Sequence, residues 1–189
     1  MTLQQPLHRT LPEELDTPRL RLRRARVADA ENVFVTYARD PEVARFVLFR
    51  PDQTLQDIQD FLEKADHAWN SGSAATWAMT LKPERELIGM VDLRLEREAN
   101  LGFVLARAYW NRGLTTEAVR AVITCAFQQP DIRCVWAICE VNNAASARVM
   151  EKAGMIREGR LERHLVFPNL GEEPRAVYRY GIVREEWKT

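Results

Sequence analysis

The stretch from Leu101 to Cys139 constrains the fold more than any other. Leu101 to Ala106 is a short apolar run with the character of a strand. Trp110-Asn111-Arg112-Gly113-Leu114-Thr115-Thr116-Glu117-Ala118 then turns through a glycine into a helix. From about Thr115 to Gln128 that helix carries Ala118, Val119, Val122, Ile123, Ala126 and Phe127 on one face, and Pro130 closes it. Ile132 to Cys139 is apolar on both alternating faces, which predicts a central strand covered on both sides. A crossover of this length lets the two strands lie parallel in one sheet.

The flanking segments fill in the rest. Arg19-Leu20-Arg21-Leu22-Arg23 alternates charged and apolar residues, a half-buried strand. Asp29 starts a helix with Ala30, Val33, Phe34 and Tyr37 on one face, and Asp40-Pro41 stops it. A second helix runs from about Thr54, with Ile58, Phe61, Leu62, Ala65 and Trp69 at helical spacing, and ends near Ser71-Gly72-Ser73. Thr76 to Leu81 and Leu87 to Leu95 join Leu101 to Ala106 as antiparallel neighbours through charged turns such as Lys82-Pro83-Glu84-Arg85. A helix from Ala144 to Lys152 ends at Gly154, and strands near Ile156 to Phe167 and Arg175 to Val183 flank the turn Pro168-Asn169-Leu170-Gly171. The result is an α+β chain: a mixed sheet with helices on both faces. Ligands of such sheets prefer crevices at the carboxyl ends of diverging strands.

With 189 residues the chain suits a single domain, read here as residues 15–189 behind an N-terminal tail, residues 1–14. Lys+Arg equals Asp+Glu at 27 each, which argues against direct nucleic-acid binding. No apolar run approaches the roughly 20 residues of a membrane span, and the polar, proline-bearing start has no signal-peptide core. Cys125, Cys134 and Cys139 lie in apolar segments, and His8, His67 and His164 are scattered. No metal-binding spacing emerges, so no metal is expected. Buried, reduced thiols fit the cytoplasm.

Two junctions carry candidate chemistry. At the first, Gly113 allows a tight turn and a close backbone approach to a ligand, and the helix start that follows offers free N–H groups and a positive dipole end to a phosphate. The ordinary alternative is a helix with a glycine before it and a threonine cap. There is no Gly-Lys-Ser/Thr loop, and Gly113 stands alone, so neither common nucleotide fingerprint is present. At the second junction, Asn143 is by default a helix cap and Ser146 an unremarkable first-turn residue. The functional alternative has Asn143 bonding a cofactor amide and Ser146 facing a reacting sulfur.

Taken together, these segments resemble the GNAT acyl-CoA N-acetyltransferases, specifically the group of the RimJ and RimL ribosomal-protein N-terminal acetyltransferases. Thr17-Pro18-Arg19-Leu20-Arg21-Leu22-Arg23 is similar to that group's opening strand and Leu101-Gly102-Phe103-Val104-Leu105 to its fourth strand. The stretch from Tyr109 to Ala118 resembles its pyrophosphate loop, Asn143 to Gly154 its next helix, and Glu173-Pro174-Arg175 to Tyr178 its last strand. The resemblance spans about Leu15 to Val183. It implies a GNAT fold, a twisted, mostly antiparallel sheet with a splayed parallel pair in the middle.

It also implies acetyl-CoA as cofactor, with Arg112, Gly113, Leu114, Thr115 and Thr116 holding the pyrophosphate through their N–H groups. Phe103, Val104 and Leu105 would pair with the pantetheine arm, Asn143 would hold its end, and Ser146 would protonate the leaving thiolate. The implied reaction moves an acetyl group to a primary amine, by direct attack without a covalent enzyme intermediate. The acceptor is a protein N-terminal α-amine, or alternatively a small amine such as an antibiotic, polyamine or amino acid. A non-catalytic acyl-CoA-binding module is a further reading. The enzyme would be a monomer or homodimer.

Departures from the group's pattern are Thr115 in place of Gly or Ala, Asn111 where glycine is frequent, Asn100 in place of Glu and Ala176 in place of Asp. Glu140, at the end of the central strand, is the candidate base, or else a solvated strand-end carboxylate. His164 is a second candidate. No cysteine has an evident activating neighbour. The resemblance further implies that the segment from Glu42 to Gly72 shapes the acceptor cleft, with Trp69 and Trp77 either lining it or packing in the core.

Overall fold

A computed structural model of the chain describes residues 11–83, 86–95 and 98–188. His8, Glu84 and Arg85 lie outside the described residues, as does most of the expected tail. Among the described residues eight strands form one sheet: β1 (Glu14–Asp16), β2 (Leu20–Arg24), β3 (Ala74–Leu81), β4 (Glu86–Leu95), β5 (Ala99–Leu105), β6 (Cys134–Glu140), β7 (Ile156–Leu165) and β8 (Arg175–Val183). Their spatial order is β1-β2-β3-β4-β5-β6-β8-β7, and every neighbouring pair is antiparallel except β5 with β6.

The parallel pair is short. Register holds only at Ala99 opposite Val135 and Asn100 opposite Trp136. Beyond Asn100 the two strands diverge, so the β6 side of β5 from Leu101 onward has no strand partner among the described residues. The sheet splays where the sequence places a parallel crossover.

Among the described residues five α-helices flank the sheet: α1 (Ala30–Val33), α2 (Pro41–Ala44), α3 (Leu55–Ser71), α4 (Leu114–Gln128) and α5 (Ala144–Lys152). Alternate strand residues point to opposite faces, and two apolar clusters follow. One gathers Val91, Leu93, Val135 and Ala137 against Val119, Val122 and Ile123 of α4. The other gathers Ala78 and Met90 against Val33, Tyr37, Ile58 and Leu62.

Four expectations are corrected. First, residues 11–14, expected in the tail, are part of the fold: Leu11 is buried, the Pro12 carbonyl accepts from Trp77 Nε1 at 3.1 Å, and Glu14 opens β1. Second, Asp40-Pro41 starts a helix as well as stopping one. Asp40 accepts from the Glu42 N–H, and Pro41 occupies the first helical position, where its missing N–H costs nothing. Third, the helix from Asp29 is irregular: a 3₁₀ turn (Val27–Asp29), α1 and a π turn (Phe34–Ala38) follow one another. Fourth, β6 is not covered on both sides. Val135, Ala137 and Cys139 are buried, whereas Trp136 and Ile138 are half-buried and face a cavity.

Candidate active site

The three longest helices start differently. Thr54 caps α3 with its hydroxyl on the Asp57 N–H, and Asp57 returns a carboxylate bond to the Thr54 N–H at 2.8 Å. Asn143 caps α5, its Oδ1 accepting from Ser146 N at 3.1 Å. Helix α4 has Gly113 in the cap position and no side-chain cap bond. Its first N–H groups therefore remain open to a ligand. Gly113 is left-handed at φ 73°, and Asn111 two residues earlier at φ 60°. Asn tolerates that region better than most residues, which accounts for it at a position where glycine is frequent in the group.

The turn is pinned to the β1–β2 connection. Glu117 accepts from Thr17 Oγ1 at 2.6 Å, from the Arg19 N–H at 2.8 Å and from Arg19 Nε at 2.7 Å. Arg19 Nη1 also donates to the Arg112 carbonyl at 2.8 Å. Burial alone would raise the Glu117 carboxyl, but these donors outweigh it and hold it below the usual range.

A cavity of about 410 Å³ lies before this helix start. Phe103, Val104, Leu105, Gly113, Leu114, Thr115, Thr116, Asn143 and Ser146 line it, so the fold brings together nine of the ten cofactor-binding residues expected from the sequence. Arg112 is the exception. Its guanidinium lies over the Tyr109 ring at 5.3 Å, which leaves its backbone N–H for the site. Thr115 is buried in the first turn of α4. Three cations absent from the expected set, Arg45, Arg148 and Lys152, also line this cavity. Arg148 and Lys152 sit four apart on α5, a spacing that could have revealed them.

A second cavity, of about 600 Å³, opens on the other side of the splay. It shares Phe46, Val47, Phe103, Val104, Asn143 and Ser146 with the first, so Ser146 stands at the junction of the two. Its wall includes Val47, Leu48, Phe49 and Phe61 from the segment expected to shape an acceptor cleft. Asn169 of the β7–β8 connection holds that wall, its Nδ2 donating to the Ala44 and Phe49 carbonyls at 2.7 Å each. Trp69 and Trp77 are not part of it: they meet edge to face at 5.2 Å, and Trp77 is wholly buried.

Glu140 is neither solvated nor in a cavity. It is 1% exposed and pairs with Arg175 Nε at 2.9 Å. It also accepts from the Asn142 N–H at 2.6 Å and from Asn142 Nδ2 at 3.2 Å. A carboxylate so occupied fixes the turn into α5 and lines neither cavity, which removes it as a proton acceptor. His164 is exposed on β7 and lines neither cavity. The thiols are unsuited to nucleophilic work: burial pushes Cys125 up to about 11 and Cys139 up to about 12, and raises Cys134 as well.

Asp92 on β4 is a further residue that sequence reasoning missed. It lines the second cavity, and burial raises its carboxyl despite the opposing pull of Arg94. A lone carboxylate inside the apolar run Leu87 to Leu95 was the available signal.

Residues 19–156 match the family model of the acetyltransferase (GNAT) domain. The chain belongs to the GNAT acetyltransferase family. It is 30% identical over 179 residues to the uncharacterized N-acetyltransferase YnaD of Bacillus subtilis (strain 168), covering 92% of this chain and 98% of that relative. Among solved structures it superposes on a GNAT-family acetyltransferase from Bacillus anthracis with a TM-score of 0.78 and 27% identity, covering 92% of this chain and 99% of that one. RimL, a ribosomal L7/L12 α-N-protein acetyltransferase solved with coenzyme A, superposes with a TM-score of 0.79 at 17% identity, over 92% and 97% of the two chains. That last likeness speaks for the fold. Among the described residues no helix is long and apolar enough to cross a membrane.

Proposed function

We propose that this GNAT acyltransferase moves an acetyl group from acetyl-CoA directly to a primary amine. The observation that carries the reading is Ser146 at the meeting point of two cavities, one before an uncapped helix start and the other walled by aromatic residues. When bound, acetyl-CoA supplies the acetyl group activated as a thioester. The residues of the first cavity fit it. The N–H groups of 112–116 and the dipole of α4 receive the diphosphate, and Arg45, Arg148 and Lys152 add positive charge around it. The unpaired side of β5 at Phe103, Val104 and Leu105 would offer backbone bonds to an extended arm, and an N–H there would stabilise negative charge on the acetyl oxygen. The Asn143 cap engages Oδ1, which leaves Nδ2 to donate to the cofactor's amide.

With acetyl-CoA bound, Ser146 Oγ–H would donate a proton to the departing sulfur and regain one, through water, from the amine. The amine reaches this point through the second cavity. With every thiol raised by burial, no cysteine serves as the nucleophile. The test is thiol release from acetyl-CoA across a panel of primary amines, paired with calorimetric titration of the cofactor. Release that requires both protein and amine supports transfer. Cofactor uptake with no release from any amine identifies a binding module instead.

A further inference from the structure

The second cavity also indicates which kind of amine it takes, an inference that rests on the acetyl-transfer reading. Its volume of about 600 Å³ is in the range of small-molecule sites, about 300–1,000 Å³. Tyr37, Phe49, Phe61, Trp136 and Phe167 reach it from five separate parts of the chain. Aromatic walls of this kind favour a flat apolar body.

Asp92 is the one carboxylate among the described residues of this lining. It stands opposite Gly102 in register, and a Cβ on Gly102 would fall 2.5 Å from Asp92 Oδ1. The missing side chain is what lets the carboxylate lie across β5. Arg94, on the same strand, is the charged group facing it, with Nη2 3.1 Å from Oδ2, and Arg94 Nη1 donates to Asn100 Oδ1 at 3.0 Å. The Arg94 side chain is 56% exposed and that of Asp92 only 25%. Solvent screens the cation at the rim, while the carboxylate sits deeper in the wall.

We propose that this cavity accepts an arylalkylamine, whose ammonium pairs with Asp92 and whose ring packs on the aromatic wall. Calorimetric titration of 2-phenylethylamine and ethanolamine into the full chain, with and without coenzyme A, tests it. The aryl amine should bind at least tenfold tighter than ethanolamine. Asp92→Asn should weaken the aryl amine at least tenfold and leave coenzyme A affinity unchanged. Should Asp92→Asn fail to fold, Phe61→Ala at the mouth serves, lowering affinity for the aryl amine and not for ethanolamine.

Equal affinities for the two amines, no binding of the aryl amine, or undiminished binding by the variant would overturn the assignment. Faster acetyl transfer to ethanolamine than to the aryl amine would overturn it too, and would leave the transferase reading intact. Tight aryl-amine binding without thiol release would uphold the cavity assignment and overturn transfer.

Discussion

Replacing Arg175 with Met removes the guanidinium that neutralises Glu140 and leaves a similar aliphatic stem. Glu140 is 1% exposed and would keep two acceptor bonds, from the Asn142 N–H at 2.6 Å and Asn142 Nδ2 at 3.2 Å, but no counter-charge. Breaking a buried ion pair costs about 3–5 kcal/mol. The Arg175 side chain is 37% exposed, so water already carries part of its charge and the expected cost is lower, about 2–3 kcal/mol. At about 2–4 °C per kcal/mol for a domain of this size, the melting temperature should fall about 5–10 °C. Glu140→Gln in the same chain removes the stranded charge and should recover about half of that loss. Thermal unfolding followed by circular dichroism, with urea titration of the same variants, measures both effects. A single variant that melts within 2 °C of wild type, or a double variant no more stable than the single, would refute the buried-pair reasoning.

Other predictions follow from the same geometry. Glu117, held below its usual range of about 4.5, contributes stability that is present above that pH and lost as pH falls through the lowered value. Glu117→Gln should therefore be less stable at pH 7 and show a flatter acid limb in pH-dependent melting. Ser146→Ala should lower kcat about 10²-fold with acetyl-CoA affinity unchanged, read by steady-state kinetics and calorimetry. Alkylation with iodoacetamide at pH 7 should be slow at Cys125 and Cys139, pushed up to about 11 and about 12, and activity should survive it.

What the sequence disclosed tracks how local each cause is. The boundaries of α3 follow from Thr54 at its start and Gly72 at its end, and the amphipathic face of α4 from its own periodicity. The Gly113 turn is legible because its backbone demand acts within a few residues. Short elements escape: β1 has three residues and α2 four, too few to establish a period. The apolar Trp136 and Ile138 read as core because a strand facing an aromatic-walled cavity has the same composition as one under a helix. The buried state of Glu140 is not legible in the sequence because its partner, Arg175, lies 35 residues away and meets it only through the β6–β8 pairing. Arg19 and Glu117, 98 residues apart, are hidden in the same way.

The central claim is that N–H groups around Gly113 grip the cofactor's diphosphate. Amide chemical shifts of the 21.9 kDa protein, followed by NMR as coenzyme A is added, test it directly. Saturable shifts largest at 112–116, with weaker ones at 103–105 and Asn143, are the predicted result. Shifts centred on another helix start, or none at millimolar coenzyme A, would contradict the account.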